Sequence, residues 1–351
     1  MIKHSKIQLD NKDIDAVNQV LLSGEINDDI IRKQFEQAYK KQFRHRYAWA
    51  TSTGTLALYY ILLLLNLKNG DEVITTNYVC DDVLSGILMA GATPIISNFN
   101  ISDFNIDTSK IQSLITRNTK AILVPHMFGM PTLMEKILEY EIPIIEDCSH
   151  SVGAIYKGDF VGNIGIAGFT SLHALKMIKT GEGGMIFTSD EILHDKKTCY
   201  DNPDFSKNQY RISYHMSNIL AALGIAQLEK YEMTLKKRRD LASYYNNELC
   251  GISGGKIPTI FDENRQSSCY RYVIVLDEKL KYEDVEKEYA MHNIVVRRPV
   301  KNLLHSLLKI ESKFFQEDII NFERIVSIPF YPELTKNEID KVIKVTKKIM
   351  L

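Results

Sequence analysis

Residues 171–187 read SLHALKMIKTGEGGMIF. An apolar stretch carries two lysines three residues apart, Lys176 and Lys179, followed by three glycines and a glutamate. The segments on either side, Gly168–Leu172 and Gly184–Thr188, read as short strands. Two strands flanking such a loop raise two questions: what sheet they belong to, and whether either lysine is a reagent.

Upstream, β-rich runs alternate with helical patterns. YAWAT at 47–51 precedes an apolar helix starting at Thr55, and EVIT at 72–75 precedes a helical pattern over 79–90. TPIIS at 93–97 follows, then AILVP at 121–125 before a helical pattern over 133–140, and PIIE at 143–146 ends at Asp147. Strands alternating with helices imply a mostly parallel sheet covered on both faces. Ligands bind at the carboxyl edges of such sheets, so polar residues just past strand ends are the natural site candidates.

Downstream the pattern changes. Residues 217–249 read as one long helix, with Ile219, Leu220, Leu223 and Ala226 at helical spacing before charges take over. YVIVL at 272–276, a helix over 282–292, short β runs at 294–297 and 325–329, and a last helix over 336–350 read as a small α+β layer. The expected division is a large domain over 1–240, including the start of the long helix, and a small C-terminal domain over 241–351.

The 351 residues are 45% hydrophobic and 25% charged, with a formal net charge of −1. Nothing there points to a polyanionic partner, and no nucleic-acid binding is expected. Five scattered cysteines show no C-x-x-C spacing, which fits a reducing cytosol and no structural metal. The most apolar run, LALYYILLLLNL at 56–67, falls short of the roughly 20 residues that span a bilayer, and no signal peptide opens the chain. A cytoplasmic protein without a membrane segment is expected.

Three groups carry chemistry. PIIEDCSH at 143–150 puts Glu146, Asp147 and His150 at a strand end; they read either as solvated loop groups or as a carboxylate set in a cleft beside a cation. Gly54 and Thr55 open the apolar helix, where free backbone N–H groups and the helix dipole favour an anion, though many helices start with such residues as caps. No Walker loop or dinucleotide fingerprint is present. An anion site, a carboxylate and a lysine on separate loops are what pyridoxal phosphate needs. Amides and hydroxyls hold its phosphate, a carboxylate keeps its ring nitrogen protonated, and an amine meets its aldehyde.

From about residue 8 to the C-terminus the chain resembles the DegT/StrS group of fold-type-I pyridoxal-phosphate enzymes, the nucleotide-sugar aminotransferases. The resemblance rests on collinear motifs. STGTLAL at 52–58 resembles the group's phosphate loop, and NYVCD at 77–81 its T-[FWY]-V-x-T segment. AGATPI at 90–95 and PHMFG at 125–129 resemble the next two landmarks. IEDCSHSVGAIYKG at 145–158 resembles E-D-A-A-[QH]-x-x-G-A-x-Y-x-G, and SLHALKMIKTGEGGM at 171–185 resembles S-F-H-x-x-K-x-x-x-x-G-E-G-G. AALGIAQL at 221–228 and SIPFYPELT at 327–335 resemble two later ones.

The resemblance implies a fold-type-I α/β architecture, a large domain with a mostly parallel sheet plus a smaller α+β domain. In the group the Schiff-base lysine stands five residues after a serine and five before the first glycine of G-E-G-G. Ser171, Lys176 and Gly181 fit, which makes Lys176 the reagent and leaves Lys179 as a surface charge. The resemblance further implies Asp147 on the ring nitrogen, His150 against the ring or its 3-oxygen, Tyr78 stacked on the ring face, and Gly54, Thr55 and Ser171 on the phosphate. Glu182, Gly183 and Gly184 shape a turn.

One departure stands out. Where the group has N-Y-R-M, this chain has Ser213-Tyr214-His215-Met216. The group's asparagine reaches the phosphate of the neighbouring subunit, so the shorter Ser213 puts that contact in question. His215 replaces an arginine; Arg211, Arg297 and Arg298 are candidates to supply the missing charge for an acidic donor. The implied activity is amino transfer from an amino acid, L-glutamate first, to a keto-sugar, nucleotide-linked, in a homodimer that builds amino sugars for surface polysaccharide. A sugar dehydratase on the same fold carries a histidine at the lysine position, and Lys176 speaks against it. A non-enzymatic sensor is opposed by the intact lysine and aspartate.

Overall fold

The computed structural model describes residues 1–26, 29–204, 206 and 211–350. Its strands, in chain order, are β1 (Tyr47–Thr51), β2 (Glu72–Thr76), β3 (Thr93–Ser97), β4 (Thr119–Pro125), β5 (Ile144–Asp147), β6 (Ile155–Tyr156) and β7 (Asp159–Phe160). They continue as β8 (Ala167–Ser171), β9 (Gly184–Thr188), β10 (Gly255–Lys256), β11 (Arg265–Gln266), β12 (Tyr272–Leu276) and β13 (Ile325–Ile328).

Seven of them form one sheet in the order β1-β9-β8-β5-β4-β2-β3. Only β9 opposes its neighbours: it pairs antiparallel with both β1 and β8, and every other pairing is parallel. Six strands therefore end at one edge. The helices α1 (Asn11–Ser23), α2 (Ile30–Phe43), α3 (Gly54–Leu64) and α4 (Asp82–Met89) include the apolar helix read from the sequence. α3 starts because Thr53 caps it, its hydroxyl accepting from Leu56 N–H at 3.1 Å. It is buried on most sides, with Ala57, Leu58, Tyr60, Ile61, Leu62 and Leu64 almost fully covered. One apolar cluster joins α3 and α4 to the sheet; another gathers Phe35, Tyr39 and Phe43 of α2 with Phe187 of β9.

A second sheet, β10-β12-β13, is antiparallel, and a third small one pairs β11 with β6 and β6 with β7. A third apolar cluster surrounds the second sheet: Leu241 and Tyr245 with Tyr272, Ile274, Ile328 and Val342. The N-terminus joins it: Ile2 lies in that cluster and exchanges backbone hydrogen bonds with Asn293 and Val295.

Three expectations are corrected. The long helix is two, Asn218–Glu229 and Tyr231–Glu248. It breaks at Lys230, whose amine is held by Asp10 and Asp13, while Tyr231 packs edge-on against Phe43. The run at 294–297 forms only isolated bridges, Ile294 to Ile2 and Arg297 to Ser327. The helical pattern over 133–140 yields a single turn, Glu135–Leu138.

Gly168 lies mid-strand in β8, where a Cβ would overlap the Phe187 ring and come within 3.1 Å of Glu146 O. Phe187 is stacked on His45 at 4.2 Å and cannot swing aside. Gly168→Ala should therefore cost about 1–3 kcal/mol by overpacking. The expected readout is a lower urea midpoint with an unchanged denaturant slope.

Candidate active site

The six strand ends that share an edge open onto a cleft of about 570 Å³. It brings together Gly54 and Thr55 past β1, Asp147 and His150 at and past β5, Ser171 at the end of β8, and Lys176 beyond it. These residues are spread from position 54 to position 176 in sequence, and the parallel topology makes them neighbours.

The anion cup is built by close approach. Gly54 backs onto Ser171, where a Cβ would come within 2.9 Å of Ser171 Cβ and 3.1 Å of its Cα. Only glycine lets the helix N-terminus sit this near the serine. Ser171 N–H donates to Ser149 Oγ at 3.0 Å, which ties the β8 end to the turn after β5.

Asp147 is 8% exposed. Its Oδ1 accepts from Ser149 N–H at 2.8 Å, and its other oxygen forms no hydrogen bond among the described residues. His150 is sandwiched between Phe128, at 5.7 Å, and Tyr270, at 4.4 Å, with nearly parallel planes. Burial, with the charges of Lys176 and Arg271, pushes its pKa well below the usual histidine range, so the imidazole is neutral.

Lys176 rides on a loop pinned at its base. Thr180 N–H donates to Leu172 O, Leu172 N–H to Gly183 O, and Ala174 N–H to Gly181 O, all at 2.8–2.9 Å. A tight turn, Lys176 N–H to His173 O at 2.8 Å, presents the side chain. Its Nζ lies 5.4 Å from the centre of the Tyr270 ring. Gly181 and Gly183 take positive φ values of 90° and 148°, so the glycine run makes the turn.

Two candidate residues fall outside this chain's own cleft, Tyr78 against expectation and Ser213 in keeping with a residue expected to face a neighbouring subunit. Tyr78 does not line the cleft: it is fully buried and stacked on Phe99 at 4.6 Å, in a ring cluster with Phe104, Phe128 and Phe322. Apolar packing draws the ring inward and leaves Val79 and Cys80 at the wall. Ser213 is exposed and outside the cleft of its own chain, on a segment held to β1 by Ser52 N–H donating to Tyr214 O at 2.7 Å.

Lys179 is not a solvated surface charge. Its Nζ donates to Gln227 Oε1 at 3.0 Å, and burial, followed by the charge of Arg238, brings its pKa down to about 8. The candidate arginines do not serve the cleft either. Arg211 and Arg297 are exposed and off its lining. Arg298 is committed to Glu283, Glu323 and Phe322 O.

The residues that sequence reading missed are Tyr270, Arg271 and Lys301, which the second half of the chain brings to the cleft. Arg271 donates to Pro299 O at 3.2 Å, lies over the Tyr270 ring and forms no ion pair among the described residues. Nothing in CYRYVIVL marks it, since a lone arginine opening a β run reads as a solvated residue.

Beneath the cleft lies a buried pair. Thr132 N–H donates to His126 Nδ1 at 3.0 Å, so the ring proton sits on Nε2 and donates to Glu146 Oε2 at 3.0 Å. Glu146 also accepts from the N–H groups of Gly162, Ile164 and Gly165 at 2.6–2.8 Å. Burial alone would raise its pKa; the bonds from His126, Gly165 and Gly162 outweigh it and hold the carboxyl below the ordinary glutamate value.

A helix-backed anion cup, a carboxylate and an amine around one cleft define an enzyme that holds a phosphorylated ring cofactor and reacts through an amine. Residues 7–347 match the DegT/DnrJ/EryC1/StrS aminotransferase family, and the chain belongs to it. It is a pyridoxal-phosphate-dependent aminotransferase. It is 30% identical to the GDP-perosamine synthase of Escherichia coli O157:H7, over 94% of this chain and 93% of that one. It is 28% identical to the spore coat polysaccharide biosynthesis protein SpsC of Bacillus subtilis (strain 168), over 97% and 94%. Its fold matches the sugar aminotransferase CalS13 from Micromonospora echinospora with a TM-score of 0.90 at 21% identity, covering 99% of this chain and 100% of that one. No helix among the described residues is long and apolar enough to cross a membrane.

Glu146→Gln replaces one of two oxygens that each accept two hydrogen bonds with an NH2 and leaves two buried N–H donors unpaired, which should cost about 1–3 kcal/mol for each at neutral pH. The native carboxyl titrates below its unfolded value, so its contribution is present above the ordinary glutamate pKa and is lost as pH falls through the folded one. Urea midpoints across the acid limb should fall more steeply in the native protein than in the variant.

Proposed function

We propose that this enzyme transfers an amino group from an amino acid, L-glutamate first, to a nucleotide-linked keto-sugar, yielding an amino sugar for surface polysaccharide. The observation that carries the reading is the convergence of Lys176, Asp147 and the Gly54–Ser171 cup on one cleft. The names of the relatives, a GDP-perosamine synthase and a spore coat polysaccharide protein, support the choice of acceptor.

Each residue has a role. Gly54, Thr55 and Ser171 bind the cofactor phosphate through amides and hydroxyls. Asp147 pairs its unbonded oxygen with the ring nitrogen, and the neutral His150 packs beside the ring. When bound, pyridoxal phosphate supplies an aldehyde that captures amines and a protonated ring that withdraws electrons. Lys176 would be the base: its Nζ takes the proton from the donor α-carbon in the first half-reaction and delivers a proton to the acceptor carbon in the second. Arg271 is the cation best placed to bind the donor carboxylate, because it faces the cleft without a carboxylate of its own.

Residues 1–240 form the cofactor-holding domain in this reading, and 241–351 the smaller domain that brings Tyr270 and Arg271 over the cleft. The enzyme works as a homodimer. Ser213 stands at the contact between copies, which suits its exposure outside its own cleft.

Lys176→Ala should abolish amino transfer, and borohydride reduction of the native holoenzyme should mark Lys176 in a peptide map. A mark on Lys179 would overturn the assignment. Arg271→Gln should raise the donor concentration for half-saturation about tenfold or more, the value of a hydrogen bond to a charged group of roughly 1.5–3 kcal/mol. Lys at that position should recover part of the loss, since it keeps the charge without the fork.

A further inference from the structure

A second chamber, of about 120 Å³, lies beside the cleft and shares Lys176, Tyr270 and Arg271 with it. Besides Lys176 and Arg271 its walls carry Lys6, Lys179, Lys230, Lys237 and Arg238, against Asp10 and Glu333. Seven cations thus face two carboxylates in a chain whose formal net charge is only −1.

The imbalance is larger than the count. Lys230 uses Asp10 and spends its remaining charge on Asp13, at 2.8 and 2.6 Å. Lys6, Lys179, Lys237, Arg238 and Arg271 form no ion pair among the described residues. Lys179 has a neutral partner, Gln227. Arg238 is nine-tenths buried, donates to Tyr270 O at 2.9 Å, and keeps its Nε without a partner. Buried donors without partners and like charges crowded around one space both cost free energy that an occupying anion recovers.

We propose that this chamber is an anion subsite of the active centre, and that it takes the phosphate linkage of the sugar acceptor. The inference rests on the reading of the acceptor as a nucleotide-linked sugar. The walls come from the N-terminal segment, the lysine loop and the helix Tyr231–Glu248, so donors approach from several directions, as a tetrahedral oxyanion requires and a flat carboxylate does not. Because Lys176 lines both spaces, a sugar held by its phosphate there lies beside the amine that moves the proton. The donor, which has no phosphate, is held by Arg271 in the main cleft.

The test uses the holoenzyme. Inorganic pyrophosphate and GDP are titrated by calorimetry, with guanosine as the phosphate-free control, into the native enzyme, Lys179→Gln, Lys237→Gln and, as a neighbouring surface control, Lys236→Gln. Pyrophosphate and GDP should bind the native enzyme and guanosine should not. Lys179→Gln should weaken both by about tenfold, and the exposed Lys237→Gln by about threefold. Lys236→Gln should change nothing, and binding to the native enzyme should weaken with salt. In steady state the sugar KM should rise in the first two variants while kcat and the donor half-reaction, followed by cofactor absorbance, stay within twofold. Equal pyrophosphate binding by all four proteins, or none by a native enzyme that converts donor, overturns the subsite. So does a loss confined to the donor half-reaction, which would assign the chamber to the donor. A native holoenzyme that converts no amino donor sinks the aminotransferase reading instead, and the pyrophosphate titration still decides the chamber separately.

Discussion

The active centre hangs on one buried carboxylate. Glu146 collects a hydrogen bond from His126 at the end of β4 and three from the backbone of residues 162–165, which lead into β8. It thereby fastens the end of β4 and the segment that enters β8 to β5, one residue before Asp147. An ionised group without water survives there only because every approach to it is filled by a donor. The neutral tautomer of His126 follows from the same network, since Thr132 occupies Nδ1.

Above that floor the chemistry is divided among groups of contrasting charge. The Asp147 side chain is held by a single amide, the cup at Gly54 is a set of uncommitted dipoles, and His150 is kept neutral between two rings. Lys176, on its pinned loop, is the base in the proposed reaction. Cations gather from two places: Lys179 on the lysine loop itself, and Arg271 on the cleft with Arg238 behind the loop from the far half of the chain. A protein of nearly zero net charge thus concentrates positive charge around the cleft and the chamber beside it, where anions are drawn at the expense of neutral molecules.

Much of this was legible in the residues. The period of apolar residues and the β-rich runs predict the large sheet's strands to within a residue or two, because a strand buried on both faces writes itself as a short apolar run. The spacing of Ser171, Lys176 and Gly181 matches that of the family's reactive lysine, and the structure places Lys176, not Lys179, on the cleft. Asp147, His150, Gly54 and Thr55 stand at or just past strand ends, where a parallel sheet puts its ligands, and the structure brings them to one cleft.

What the residues alone left open was direction and partnership. An aromatic after a strand can face a ligand or the core, and Tyr78 faces the core because Phe99, Phe104 and Phe128 offer it more apolar contact than the cleft does. Lys179 looks like any loop lysine until Gln227 and Arg238, about 50 positions away, cover it. The helix over 218–248 breaks where Lys230 meets Asp10 and Asp13, a pairing that no local period records. Arg271 reaches the cleft only because the segment before β12 is tied to the turn after β4, with Tyr270 N–H donating to Phe128 O at 3.0 Å. Period, length and residue type are local and belong to the sequence; which face a side chain turns to, and which distant charge it meets, are settled by packing between segments, and only the tertiary structure decided them.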